Sequence, residues 1–217
     1  MKRLNISNNV IRRLPRYLRK LDDLAYHGEE RISSAELGRQ MGLTPSQIRQ
    51  DFSCFGEFGQ QGYGYNIASL RDEISQIIGL DRSYSAVLIG AGNLGHAIIE
   101  NFSYIINGYK FYGSFDIRPE VIGTQIGGYE VYDVKELADF IHENSVDIAI
   151  LCVPRSKAQE IADVMIGAGI RAIWNFTNVE LDMGDSGVLV ENIHFSDSLM
   201  CLTYFLAEED DLRKNKK

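Results

Sequence analysis

Gly90, Gly92 and Gly95, with Asp116 twenty-one residues beyond the last of them, are the residues of this 217-residue chain whose types and spacing could do chemistry. The glycines lie in "AVLIGAGNLGHA" (86–97), an apolar strand pattern that runs into a glycine-rich turn and then a helix pattern. A lone G-x-G-x-x-G is weak; one that follows a buried strand and opens a helix has the context of a dinucleotide cradle. There the first glycine permits the tight turn and the second lets backbone approach a pyrophosphate. The third lets helix and strand pack closely, and the helix N-terminus favours negative charge. Asp116 ends "FYGSFD", where an acid accepts hydrogen bonds from an adenosine ribose. A carboxylate there prefers NAD(H) to NADP(H); Arg118, two residues on, leaves that preference open.

A cradle alone transfers nothing. Hydride transfer needs a proton donor or acceptor on the substrate, typically His, Tyr or Lys with a shifted pKa. The chain contains no Tyr-x-x-x-Lys, and His27, His96, His142 and His194 are scattered. "GDSG" (184–187) resembles the nucleophile segment of chymotrypsin-like proteases, but it stands in an α/β pattern and reads as a turn. Cys54, Cys152 and Cys201 form no CxxC pair and no cluster with histidine, which fits a reducing cytoplasm without disulfide or metal site. No catalytic residue is assigned, and no enzyme is expected. No apolar run is long enough to span a membrane, and the basic N-terminus lacks the apolar core of a signal peptide.

The elements that must position the cradle follow from periodicity and charge. Residues 1–80 carry 11 Lys+Arg against 9 Asp+Glu, whereas 81–217 carry 11 against 21. Arg12, Arg13, Arg16, Arg19 and Lys20 fall within nine residues, an asymmetry that points to a nucleic-acid contact at the N-terminal end. Val10, Leu14, Leu18, Leu21 and Leu24/Ala25 recur at helical spacing, with Pro15 either starting or bending that helix. Ser33 with Glu36 forms a capping box, "MGLT" breaks the chain, and Thr44 caps a second helix with Pro45 at its first position. Two short helices about a glycine turn are a helix-turn-helix signature, and "GEFGQQGYGYN" (56–66) reads as a short hairpin, or wing.

Residues 1–78 are thus expected to form a winged helix-turn-helix domain, with 79–85 as linker. Thereafter strands near 86–90, 111–116, 147–152, 171–175 and 188–193 alternate with helices, one opening at Asp133 and another at Ser156 with Gln159. The pattern predicts an α/β, Rossmann-type parallel-sheet domain over 86–195.

These words in this order resemble the Rex family of redox-sensing transcriptional repressors. The matching stretches include "RLPRYLRKL" (13–21), "SSAELGRQMGLTPSQIRQDFSCFGEFGQQGYGYN" (33–66), "IGAGNLGHA" (89–97), "FDIRPEVIG" (115–123), "VPRSKAQEIAD" (153–163), "GIRAIWNFT" (169–177) and "VENIHFSDSL" (190–199), nearly the whole chain. The resemblance implies a cytoplasmic homodimer in which a C-terminal helix, within 196–217, swaps across to the partner. It also implies binding to double-stranded operator DNA without ligand or with NAD+, and release by NADH.

Carried over, the resemblance implies that Gly90, Ala91, Gly92, Asn93, Leu94, Gly95, Asp116 and Arg118 hold the adenosine and pyrophosphate. Val153, Pro154, Asn175 and Phe176 line the nicotinamide side, and Phe195 corresponds to a residue entering the partner's pocket. Ser46, Gln47, Arg49, Gln50 and Ser53 lie on the recognition helix, where N-terminal residues meet bases and phosphates. In the wing, with Gln60, the tyrosines Tyr63 and Tyr65 either pack or contact phosphate. Arg19 corresponds to an arginine linking the DNA domain to the partner's cofactor domain. The chain departs from the family at Gln50, Cys54, Gln60 and Gln61, where basic residues and a tyrosine are usual. It departs again at Asn101 and His194, where a tyrosine and an aspartate form the switch. Each lost phosphate contact lowers the salt slope by about one. A histidine cannot accept a salt bridge from Arg19.

Overall fold

The computed structural model describes residues 6–56, 63–105 and 109–214, and the chain divides into two compact units, Met1–Arg82 and Ser83–Lys217. The first unit contains α1 (Asn8–Tyr26), β1 (Arg31–Ile32), α2 (Ser34–Met41), α3 (Pro45–Ser53), β2 (Tyr65–Asn66) and α4 (Ile67–Ile77). Its core gathers one face of each helix: Leu14, Tyr17 and Leu21 from α1, Leu37 from α2, Ile48 and Phe52 from α3, Leu70 and Ile74 from α4. Pro15 lies inside α1 and neither starts nor ends it.

Thr44 caps α3 by accepting from the Gln47 N–H at 3.2 Å, with Pro45 first in the helix, and Ser33 accepts from the Glu36 N–H at 3.1 Å. The second half of the capping box does not form, because the Glu36 carboxylate is taken by Arg39 and Gln40 instead. At the C-terminal end of the stretch expected as a short hairpin, or wing, β2 pairs antiparallel with β1, Ile32 opposite Tyr65, more than thirty residues earlier. Residues 57–62, the expected wing tip with Gln60 and Gln61, lie outside the described residues.

The second unit contains β3 (Tyr84–Ile89), α5 (Asn93–Ile105), β4 (Tyr109–Asp116), β5 (Gln125–Ile126), β6 (Tyr129–Asp133), α6 (Leu137–Asn144), β7 (Ile148–Leu151), α7 (Ala158–Gly167), β8 (Ala172–Asn175), β9 (Leu189–Asn192) and α8 (Phe195–Lys214). Among the described residues the sheet order is β5-β6-β4-β3-β7-β8-β9, parallel except for the β5–β6 pair. Val87 and Ile89 of β3 face one core with Leu137, Ile141 and Met165 of α6 and α7, while Ala86 and Leu88 face the other with Ile99 of α5. A strand covered on both faces must be apolar throughout, which is why this stretch shows no alternation.

Five sequence expectations change. β3 begins at Tyr84, inside the stretch expected as linker, because Asp147 accepts from the Ser85 N–H at 2.9 Å and hydroxyl at 3.0 Å. The β5–β6 hairpin was not among the expected strands; Gly127 and Gly128, at φ +57° and +86°, make the turn that joins it. Both expected helix starts open as tight 3-10 turns, Val134–Glu136 and Arg155–Lys157, before α6 and α7. Gln159 does not box with Ser156, because its amide bridges Asp163 and the Asp182 backbone. No helix joins β8 to β9; residues 176–188 are irregular, with a turn at Gly184 and Asp185.

Candidate functional site

The chain leaves β3 towards β4 and β6 on one side and returns to β7 on the other, so the strand order reverses between β3 and β7. In open parallel sheets the ligand crevice opens at that point, beyond the carboxyl ends of the strands. A cleft of about 620 Å³ lies there, lined by Ile89, Gly90 and Gly92 where β3 ends, Asp116, Ile117 and Arg118 where β4 ends, and Cys152, Val153 and Pro154 after β7. Lys157, Glu160 and Ile161 line it as well. This size suits a small-molecule site.

The glycines divide by what surrounds them. A side chain on Gly90, at φ +100°, would meet the Cys152 carbonyl oxygen at 2.5 Å, and one on Gly95 would strike the Gly90 carbonyl oxygen. Gly92 has nothing within 4 Å. Thus the first and third glycines close the turn, and the second faces open space where a pyrophosphate would lie. Asn93 and Leu94 open α5, whose first N–H groups have no intrahelical acceptor. The residues present fit a dinucleotide.

Asp116 is 7% exposed. It accepts from the Ala91 N–H at 2.8 Å, from the Arg118 N–H at 2.9 Å, and from Arg118 Nε and Nη2 at 3.0 Å each. Burial alone would raise its pKa; the Arg118 side chain and the two backbone donors outweigh that and hold it below the usual carboxylate range. The Cys152 thiol, in the same cleft, is pushed up to about 12 by burial.

Asn175, Phe176 and Phe195 do not line this cleft. Asn175 is buried and fully employed: its amide donates to the Val179 carbonyl at 2.7 Å and Asn192 at 2.8 Å, and its oxygen accepts from the Thr177 hydroxyl at 2.7 Å. Phe176 packs edge-on against Trp174 at 4.6 Å and lies 6.0 Å from the ring of Phe195, which is 59% exposed. His194 Nε2 lies 3.4 Å from Glu180 Oε1. Asn101 donates to the Ala97 carbonyl of its own helix at 2.7 Å.

In the first unit, α3 presents Ser46, Arg49, Gln50 and Ser53 to solvent. Arg49 donates to the Ser34 hydroxyl at 3.0 Å, which steadies it between α2 and α3. Gln47 is turned inward, donating to Asp51 Oδ1 at 2.8 Å. Sequence reasoning missed Asp51. It is wholly buried, and Arg13 grips it with Nε at 2.6 Å and Nη2 at 2.8 Å while the Tyr17 hydroxyl donates at 2.6 Å. Arg13 is therefore not a free cation of the basic run. Tyr65 packs edge-on against Phe52 at 5.2 Å, whereas Tyr63 is 71% exposed beside the Arg31 guanidinium, 5.8 Å from its ring centre. Arg19 is exposed on α1.

A helix-turn-helix unit followed by a parallel-sheet unit with a glycine-turn cleft defines a ligand-responsive DNA-binding regulator. A model described as a CoA binding domain matches residues 81–179, and one described as a putative DNA-binding protein N-terminus matches 5–53. The redox-sensing transcriptional repressor Rex of Thermoanaerobacter pseudethanolicus is 48% identical over 99% of this chain and 96% of its own. Among solved structures, RSP in complex with β-NAD+ and operator DNA is 49% identical, with a TM-score of 0.86 over 97% of both chains. RSP in complex with β-NADH is 46% identical, with a TM-score of 0.88 over 97% of this chain and 98% of that one. The chain belongs to the Rex family of redox-sensing transcriptional repressors.

Proposed function

We propose that this chain is a homodimeric repressor that binds an inverted-repeat operator through α3 and the wing, and is released when NADH enters the cleft. The observation that carries this reading is the cleft at the strand-order reversal, lined by Gly90, Gly92 and Asp116, in a chain that also holds a capped helix-turn-helix. The relatives with NAD+ and operator DNA, and with NADH, support it. The domains would divide at the linker, with the cofactor sensed and not consumed. The relatives are named as repressors; an absence of enzymatic activity and a cytoplasmic location complete the proposal. No helix among the described residues is long and apolar enough to cross a membrane.

The second subunit is argued from α8. Every residue of this helix is exposed, including Phe195, Leu199, Met200, Leu202, Tyr204, Phe205 and Leu206. A helix gains most of its stability from packing an apolar face, and the described residues leave this one largely uncovered beyond the contact of Phe195 with Phe176. A second copy that receives it would supply that surface.

Gln47, engaged with Asp51, and the uncharged Gln50 favour a variant of the same reading in which the operator is held by fewer phosphate contacts. Fluorescence anisotropy of the operator upstream of the protein's own gene, at two salt concentrations and with no ligand, NAD+ or NADH, tests both. Nanomolar binding released by NADH is the expected result, with a salt dependence shallower by about one for each missing phosphate contact. Tight binding indifferent to NADH would overturn the switch, and no binding at low salt would overturn the repressor.

A further inference from the structure

We propose that Gln47 reads the operator with its amide oxygen alone, held that way by Asp51, and so takes a base with an exocyclic amine, adenine or cytosine. This rests on the reading of α3 as the helix that meets the operator, and deepens it to a class of base. Gln47 is the third residue of α3, in the turn whose side chains reach base edges when such a helix enters the major groove. Its Nε2 lies 2.8 Å from Oδ1 of the wholly buried Asp51. An ionised carboxylate only accepts, so the nitrogen end of the amide must face it, and this fixes which way the side chain is turned. Oε1 makes no bond among the described residues. Nor is it enclosed, since among those residues Ser114 Oγ is the one buried side-chain polar atom without a partner.

The anchor does not turn with its guest. Oδ2 of Asp51 accepts from Arg13 Nε and the Tyr17 hydroxyl, both at 2.6 Å, and Oδ1 accepts from Arg13 Nη2 at 2.8 Å beside Gln47. Four donors from two helices thus fill the roughly four acceptor positions of a carboxylate. Turning the Gln47 amide end for end would set its oxygen against that charge and forfeit a charge-assisted hydrogen bond. A glutamine free in solvent takes adenine with both ends of its amide, one on N6 and the other on N7. Here the nitrogen is drawn against a buried carboxylate, and the side chain offers the groove one acceptor, as a glutamate would, but without the charge. Adenine N6 and cytosine N4 donate to an acceptor, whereas guanine O6 and N7 and thymine O4 are acceptors themselves and oppose it. Asp51 touches no base; it decides what Gln47 presents to one.

The test titrates the full chain, without ligand and at low salt, against the operator upstream of its own gene, with each base pair of one half-site changed in turn to the other three. At one position wild type is expected to bind adenine and cytosine within about threefold of each other, and both about fivefold or more above guanine and thymine, the worth of one hydrogen bond. Gln47→Met, close in length and without a hydrogen-bonding amide, should flatten the four bases there. Asp51→Asn should invert the preference towards guanine and thymine. Its oxygen stays where Arg13 Nε and Tyr17 donate, so its nitrogen meets Gln47, which answers with oxygen and turns nitrogen outward. A thermal melt shows that this variant is folded at the temperature used, and wild type with Gln47→Met decides the case if it is not. Adenine favoured over cytosine by more than about tenfold in wild type would overturn the inference, because both ends of the amide would then be reading. So would base preferences that Gln47→Met leaves unmoved at every position, or that a folded Asp51→Asn does not change. If the operator binds without this pattern, this inference alone falls; if no duplex binds, the repressor reading falls and takes it along.

Discussion

Asp51 is a carboxylate without exposure, and it keeps its charge because Arg13, Tyr17 and Gln47 close on it. Burial would raise its pKa, but these hydrogen bonds and the arginine charge hold it low. Replacing it by asparagine strands the guanidinium, and Asp51→Asn should cost about 3 kcal/mol in urea unfolding, the low end for a broken buried pair because Arg13 keeps some solvent. The sign with pH follows: a depressed carboxylate stabilises fully above its unfolded value of about 4 and is lost as pH falls through the folded value. The gap between wild type and Asp51→Asn should therefore close below about pH 4; a gap constant with pH would rule out the ion pair. The glycines give a second contrast. Gly92→Ala has open space and should leave the melting temperature alone while weakening dinucleotide binding about tenfold or more. Gly95→Ala should cost about 1–3 kcal/mol of stability, because backbone must move. The glycine turn and Asp116 were legible because their signal is local. Asp51 was not: its partner Arg13 is 38 residues away, and nothing in a sequence marks which arginine of a basic run turns inward.

At the level of elements, the caps and apolar faces of α2 and α3 were written in the sequence, and so were the buried strands. The β5–β6 hairpin was missed although Gly127-Gly128 is a two-residue hairpin signal, because Gln125–Ile126 is too short to show a period. The starts of α6 and α7 shifted because tight turns precede them, which capping patterns do not report. For α8 the sequence shows a helix but not its surroundings. Leu199→Asp with Phe205→Asp places two charges on that helix, and light scattering should move from twice the 24.5 kDa chain mass to one. A wild-type chain that is already monomeric would remove the case for a swapped helix.

The whole molecule joins a unit with slight positive charge to one carrying most of the acidic excess. Such a division keeps the protein soluble while confining nucleic-acid attraction to one end. That attraction should be salt-sensitive in the intact chain, and substituting Arg49 should weaken binding to specific and non-specific DNA alike and flatten the slope by about one. The cleft adds a property of another kind. Cys152 stands on its wall with a thiol held protonated to about 12. Thiols react with peroxides and alkylators as thiolates, so this one stays silent at neutral pH. A burst of oxidant would pass the cleft without leaving a mark there. Within the cleft, then, the nucleotide is what registers, and not the oxidation of its own wall.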